Sequence, residues 1–161
     1  MSILGRLFGH DTDYKRDSAV VTAQAIKDAV NAYNQSCGRG GEVTASLLDE
    51  SYLAMEPIRL QTLAFKKINL EKIAYHANSE EFPDCDDFAR IAHADLLRGT
   101  IAEHLPYAVA FLIVTYIRVG GGHHAANLAI DHKGKLHLFE PQNNLWSQLL
   151  SDVDYITGVS A

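Results

Sequence analysis

The spacing of apolar residues predicts two amphipathic helices. In the first, from Asp17 to Ser36, apolar side chains recur at helical intervals, with Asp17 or Ser18 as the N-cap and Cys37-Gly38 as the stop. The second begins after Pro83, where Cys85 opens a stripe that continues at i+3, i+4, i+7 and i+11. This stripe is the pattern of a helix that packs one face against a core.

Alternating and β-branched residues predict a sheet in the second half of the chain. Between the two helices, residues 43–75 mix both periodicities, and we expect a short helix and a segment of uncertain type on either side of Pro57. The pattern as a whole predicts an α+β fold, with residues 1–15 as a flexible or peripheral segment. Strands are expected at about 108–119, 123–131 and 135–141, with a possible edge strand at 153–159.

Length and composition limit the class of protein. With 161 residues, 47% of them hydrophobic, the chain has enough apolar surface for one core, and we expect a single domain over 1–161. The net charge of -6, from 14 basic and 20 acidic residues, gives no footprint for a polyanion. Nucleic acid and membranes are therefore not expected as partners, and the apolar run from Tyr107 to Tyr116 is half the roughly 20 residues that a membrane span needs.

The sequence also predicts a cytoplasmic protein with free thiols. Residues 1–8 lack an apolar stretch of signal-peptide length, although export by another route stays open. Two cysteines are too few for a disulfide framework. Cys37 belongs to a helix end and is expected to be inert, whereas Cys85 lies in the first turn of its helix. There the orphan N–H groups and a neighbouring imidazolium would favour a thiolate nucleophile.

The turn between the last two predicted long strands decides which side chains meet. A two-residue turn and a three-residue loop compete, and they place the residues of one strand on opposite faces. The three-residue loop, with Gly134 in the left-handed conformation, pairs Asp131 with Lys135 and suits the sequence better. It also sets Leu128 opposite Leu138, which forms one apolar face.

This register predicts a catalytic constellation. His124 and Glu140 lie at the far end of the apolar face, with Glu140 diagonal to the imidazole and Gln142 directly opposite it. Either side chain is placed to orient the ring, and we favour Glu140 because a carboxylate also stabilises the charged imidazole. Cys85, His124 and Glu140 are therefore the candidate nucleophile, base and orienting residue.

Three sequence blocks resemble a known family. The blocks follow one another in the family's order, with 39 residues from Cys85 to His124 and 16 from His124 to Glu140. They resemble the papain-like C-terminal domain of certain mushroom chimerolectins and related bacterial proteins. The resemblance implies a papain-like fold, in which a helix with Cys at its N-terminus packs on an antiparallel sheet carrying His and Glu. The blocks are Asp84-Cys85-Asp86-Asp87-Phe88-Ala89, Gly122-His123-His124-Ala125-Ala126-Asn127 and Phe139-Glu140-Pro141-Gln142.

The same resemblance implies a calcium-stimulated cysteine protease. It points to Asp87, with Asp86, as calcium ligands, and calcium is the one cofactor expected. Acidic residues at a helix start also act as caps, and by themselves these residues favour a cap. The family's sugar-binding repeat domain has no counterpart here, so the resemblance implies no glycan binding.

Several functions remain open at this point. The leading hypothesis is a cysteine hydrolase that cleaves a peptide or protein substrate through an acyl-enzyme. Gly122 would then let the backbone approach an extended substrate, although a glycine run is also a common flexible connection. The alternatives are a transglutaminase-like acyltransferase, a metal-dependent hydrolase built on His and Asp residues, and a non-catalytic protein-binding module on the same fold. The histidines other than His123 and His124 are expected to be surface or structural residues.

Overall fold

The computed structural model describes residues 18–64, 84–143, 145–147 and 153–161. The expectation for residues 1–15 lies outside these ranges. Helices and strands follow one another in no regular order, and slightly more of the described residues lie in strands than in helices. The elements are β1 (Ser18–Thr22), α1 (Ala23–Ser36), β2 (Thr44–Ser46), β3 (Ser51–Met55), α2 (Pro57–Ala64), α3 (Cys85–Ala102), β4 (Phe111–Arg118), β5 (His123–Ile130), β6 (Leu136–Glu140), β7 (Leu145–Ser147) and β8 (Val153–Ser160).

The central element is a six-stranded mixed sheet in the order β2-β8-β4-β5-β6-β7. β2 runs parallel to β8, every other described pair in this sheet is antiparallel, and β1 pairs with β3 in a separate two-stranded sheet. The predicted α+β papain-like fold on an antiparallel sheet is therefore wrong, because the chain is β-rich and its sheet is mixed. The Thr-Ala-Ser segment of β2 is too short to show a strand period, so no residue pattern indicated the parallel pairing.

The first described element is a strand, where the sequence pattern predicted helix. Thr22 is the N-cap of α1, and its hydroxyl accepts a hydrogen bond from the backbone N–H of Ala25 at 3.1 Å. The preceding residues pair with β3, with Val21 opposite Tyr52. The predicted start at Asp17 or Ser18 is therefore wrong, because the β-branched run before Thr22 satisfies its backbone in a sheet.

Two further predictions about element type need correction. The segment before Pro57 forms β2 and β3 instead of a short helix, and α2 begins at Pro57, where the fixed φ of proline suits the first helical residue. β8 was expected at an edge, but it lies between β2 and β4. Both errors concern strands whose pairing partners lie far away in the sequence.

Two hydrophobic clusters cover the two faces of the sheet. On one face, α1 contributes Ile26 and Val30 to a cluster with Leu112 and Leu128. On the other face, Leu96 and other residues of α3 pack with residues of α2, β3, β4 and β6 in a second cluster. β5 is therefore buried on both sides. No helix in the described ranges is long and apolar enough to cross a membrane.

A histidine in α3 makes the stability of this packing dependent on pH. Burial lowers the pKa of His93 below its ordinary value and outweighs the hydrogen bond that Nδ1 donates to the backbone O of Phe111 at 2.7 Å. Below about pH 6.5 the unfolded chain therefore binds a proton that the folded chain does not, and the free energy of unfolding falls as the pH falls.

We expect His93→Gln, which keeps a donor for Phe111, to flatten this dependence. Urea unfolding of both proteins at a series of pH values below about 7 tests it. Equal slopes for the two proteins would contradict the assignment.

Candidate functional site

The hairpin of β5 and β6 has the predicted register. Leu128 lies opposite Leu138, as expected for the three-residue loop. The backbone N–H of Asp131 donates to the O of Lys135 at 3.0 Å, and Gly134 has a φ of 79°, which is the left-handed conformation. This prediction is confirmed, and it fixes which side chains share a face near the far end of the hairpin.

His124 and Glu140 are in direct contact at that end. The Nε2 atom of His124 donates to Oε2 of Glu140 at 2.6 Å, and the two side chains are 6% and 18% exposed. The imidazole also meets the edge of the Tyr116 ring, with 5.4 Å between the ring centroids. With Nε2 committed to Glu140, the Nδ1 atom of a neutral ring has a free lone pair for a ligand donor.

Two further predicted residues lie beside this pair. The backbone N–H of Gln142 donates a long hydrogen bond of 3.4 Å to Oε1 of Glu140. Within the described residues, Nε2 of the Gln142 side chain is buried without a hydrogen-bond partner. Gly122 ends the turn that leads into β5, with a φ of 94° and open space where a Cβ would stand. Polar groups and an open backbone therefore occur together at this end of the sheet.

Cys85 is the first residue of α3 and is half-buried. Asp84 caps the helix, accepting from the N–H groups of Asp86 and Asp87 at 3.3 and 3.4 Å, while Asp87 accepts from the N–H of Asp84 at 3.3 Å. This is a complete capping box. The cap interpretation of these carboxylates, left open by the sequence, is therefore the one the contacts support.

The acidic cluster also has internal and external charge partners. A hydrogen bond between the two carboxyl groups lowers the pKa of Asp84 and raises that of Asp86. Arg90 forms ion pairs with Asp86 and Asp87, one turn along the helix. Oxygen atoms of the three aspartates lie within 4.8 Å of one another. Calcium binding by Asp86 and Asp87 stays a prediction.

Two contacts fix how α3 lies on the sheet. Nδ2 of Asn127 donates to the backbone O of Ala89 at 3.0 Å. One helical turn later, His93 bonds to Phe111, which lies opposite Ala129. One turn of helix and two strand residues both advance about 6 Å, so α3 and β5 run in the same general direction.

The start of α3 consequently lies toward the end of β5 that carries His124. The two residues nevertheless belong to different faces of the sheet: Asn127 faces α3, and side chains alternate along a strand, so His124 faces away from α3. Within the described ranges, no hydrogen bond joins Cys85 to His124. The structure thus unites His124 with Glu140 but does not bring Cys85 to them as a hydrogen-bonded triad.

The sequence interpretation missed a second polar cluster at the opposite end of the hairpin. His137 and His132 were expected to be surface or structural, yet His137 is 5% exposed and bonds to Oδ2 of Asp131 at 2.8 Å. His132 lies 3.1 Å from Glu56. The register already put Asp131 and His137 on one face, but nothing in the sequence linked them to Glu56, 75 positions before Asp131.

Comparison with known proteins supports the fold. No protein-family model and no curated protein matches the sequence. Two similar solved structures are Polyporus squamosus lectin bound to the human-type influenza-binding epitope Neu5Aca2-6Galb1-4GlcNAc, with a TM-score of 0.69 and 18% identity, and a PSL1a-E64 complex, with a TM-score of 0.68 and 17% identity. Each match covers 88% of this chain. The chain has the fold of these structures.

This fold overturns the papain-like cysteine protease that the three sequence blocks implied. The expectations of a cysteine hydrolase, of an enzyme and of a chain without glycan binding are corrected, because the structures with this fold include a lectin. At 17% and 18% identity the likeness shows the fold alone, and no role passes from it to this chain. The start of α3 and the hairpin register were predicted correctly from the apolar stripe and the turn, but such local features do not define a function. The chain spans about half the length of these structures, 49% and 51%.

Proposed function

We propose that the chain is a non-catalytic binding module that recognises a glycan through His124 and Glu140. The observation that carries the proposal is the fold shared with a structure of a lectin bound to a sialylated trisaccharide, at a TM-score of 0.69. Because this chain spans about half of that structure, support for the site comes from this chain's own side chains.

The chemistry around His124 suits a hydroxyl-rich ligand. A sugar hydroxyl both donates and accepts, and it can donate to Nδ1 of a neutral imidazole while accepting from the side-chain amide of Gln142. Nε2 of Gln142 has no partner in the described part of the chain, so a rotation of this side chain would let it donate to a ligand oxygen. Glu140 holds the ring in place through the 2.6 Å contact.

The charge of this region favours a neutral glycan over an acidic one. Glu140 lies in the site, the acidic start of α3 lies at the same end of β5, and the whole chain carries a net charge of -6. A sialic acid carboxylate would be repelled by these groups at low ionic strength. The role of Gly122 in approaching a ligand stays a prediction, as does the cytoplasmic location expected from the sequence.

Calorimetric titration with Galβ1-4GlcNAc and with its α2-6 sialylated form tests the proposal. We expect the neutral disaccharide to bind at least as tightly as the sialylated sugar. His124→Ala and Glu140→Gln should each weaken binding about tenfold or more, or about 1.4 kcal/mol. The matched control is His123→Ala, which removes the exposed neighbouring imidazole and should leave the affinity unchanged.

Two outcomes would overturn the binding proposal. One is the absence of binding to either sugar by folded protein. The other is cleavage of a peptide library by the unmodified chain that disappears in Cys85→Ala, since a binding module needs no thiol for turnover.

A further inference from the structure

A cluster of two imidazoles and two carboxylates lies far from His124, at the turn of the β5–β6 hairpin. Asp131 directly follows β5, His132 lies in the turn, and His137 lies in β6. Glu56 comes from another part of the chain, between β3 and α2, where its backbone O accepts hydrogen bonds at the start of α2. Three separate elements therefore converge on this cluster.

Three of the donor atoms are close enough to share one ion, and the fourth, from His132, lies beside Glu56. Nε2 of His137 lies 2.8 Å from Oδ2 of Asp131, and ligand atoms of Glu56, Asp131 and His137 all lie within 4.8 Å of one another. Nδ1 of His132 is 3.1 Å from Oε1 of Glu56. Zinc bonds of about 2.0–2.1 Å in a tetrahedral site put neighbouring donor atoms about 3.3 Å apart, so small adjustments of these side chains suffice.

The hydrogen bonds of Asp131 prepare it for such a role. Its Oδ1 atom accepts from the backbone N–H groups of Lys133 and Lys135, at 2.8 and 2.9 Å, which fixes the carboxylate and leaves Oδ2 directed at His137. The Asp131 and His137 side chains are 4% and 6% exposed. An oriented, buried carboxylate and imidazole form the rigid half of a site, as supporting hydrogen bonds do around known metal ligands.

His132 supplies an independent sign of a missing partner. Its Nδ1 atom is buried and, among the described residues, has no hydrogen bond, although Glu56 lies 3.1 Å away. The two groups are thus in short contact without hydrogen-bond geometry, and a metal ion between them would bind both. Lys133 lies 3.8 Å from Glu56, but its side chain is 72% exposed and can move away.

We propose that Glu56, Asp131, His132 and His137 bind a zinc-class transition-metal ion that ties the β5–β6 turn to the start of α2. Nitrogen donors select zinc, cobalt or nickel over calcium and magnesium, which prefer oxygen ligands. The His132 and Glu56 side chains are 27% and 28% exposed, so an ion can enter from their side of the cluster. The role is structural, and it is independent of ligand binding at His124.

Metal titration of chelator-treated full-length chain tests the site with zinc and with cobalt. We expect zinc to raise the unfolding temperature in a concentration-dependent way, and cobalt to give the visible absorption of a tetrahedral ion. His132→Gln and Glu56→Gln, at the half-exposed side, should still fold and bind zinc at least tenfold more weakly. His104→Asn is the matched control, because it removes an exposed histidine whose φ of 52° asparagine tolerates.

Each other result counts against the site. If the unmodified chain shows neither a thermal shift nor a cobalt spectrum, the cluster is a set of hydrogen-bonded side chains only. If both variants bind zinc as tightly as the unmodified chain, the ion lies elsewhere and the assignment fails. His137→Ala is not needed for this decision, since loss of the buried contact with Asp131 can unfold the turn.

Discussion

Asn34→Ala is expected to destabilise the protein by about 3 kcal/mol, through the loss of two buried hydrogen bonds from one side chain. Nδ2 of Asn34 donates to the backbone O of Ile156, and Oδ1 accepts from the N–H of the same residue, both at 2.8 Å. Asn34 is 5% exposed and Ile156 is 2% exposed. Truncation would leave a buried N–H and a buried C=O without these partners.

The position of Ile156 explains why a side chain, and not a neighbouring strand, bonds its backbone N–H and C=O groups. The β4–β8 register shifts between Thr115 and Tyr116, so Thr115 pairs with Gly158 and Tyr116 with Ile156. One residue of β8 is skipped, which is the pattern of a β-bulge, and a bulge leaves backbone groups outside the regular ladder. The side chain of Asn34, in α1, provides the hydrogen-bond partners for Ile156 that β4 does not provide.

Urea unfolding measures this effect against a control on the same helix. Gln35→Ala, at the exposed neighbouring position, should change the free energy of unfolding by less than about 0.5 kcal/mol. Asn34→Asp keeps the acceptor for Ile156 but loses the donor, so it should not restore stability. A loss below about 1 kcal/mol for Asn34→Ala would show that water replaces the side chain at the bulge.

Gly99→Ala is the second substitution with a large expected effect, about 2 kcal/mol or more. Gly99 lies in α3 where α2 approaches, and a Cβ added there would stand 2.5 Å from the backbone O of Leu63. A backbone atom cannot move aside as a flexible side chain does, so the two helices must separate. The gain of up to about 1 kcal/mol from replacing glycine in a helix offsets only part of the cost.

Thermal unfolding of Gly99→Ala beside Arg98→Ala tests this contact. Arg98 is exposed on the same helix, so its replacement changes helix propensity without a clash and should be nearly neutral. Gly99→Val should be worse than Gly99→Ala, because its larger side chain meets the same carbonyl. Stabilisation by Gly99→Ala would mean that α2 is not held against α3 at this distance.

The sequence predicted those features that depend on neighbours close in the chain. The apolar stripe and Pro83 indicated the start of α3, and the Asp131–Lys135 turn indicated the register that brings His124 to Glu140. These inferences need only helix periodicity, turn chemistry and the alternation of a strand. The capping role of Asp84 follows from the same local physics.

Features that depend on distant pairing could not be predicted in this way. The strand before Thr22 pairs with β3, and the carboxylate of Glu56 meets a hairpin 75 positions later. The position of Cys85 relative to His124 could not be predicted for a related reason. The apolar stripe of α3 shows that this helix packs against a core, but not which face of the sheet it covers. In the structure, α3 covers the face opposite to the one that carries His124.

The place of β8 has a consequence for the order in which the protein folds. β2 contacts the sheet through β8 alone in the described structure, with Thr44 opposite Gly158, and β8 also covers the edge of β4. A nascent chain that has emerged as far as β7 can close the β4–β5–β6 meander but must wait with β2 unpaired and β4 open. Pairing over such a separation is slow, so during synthesis this edge is where association with other chains competes with folding.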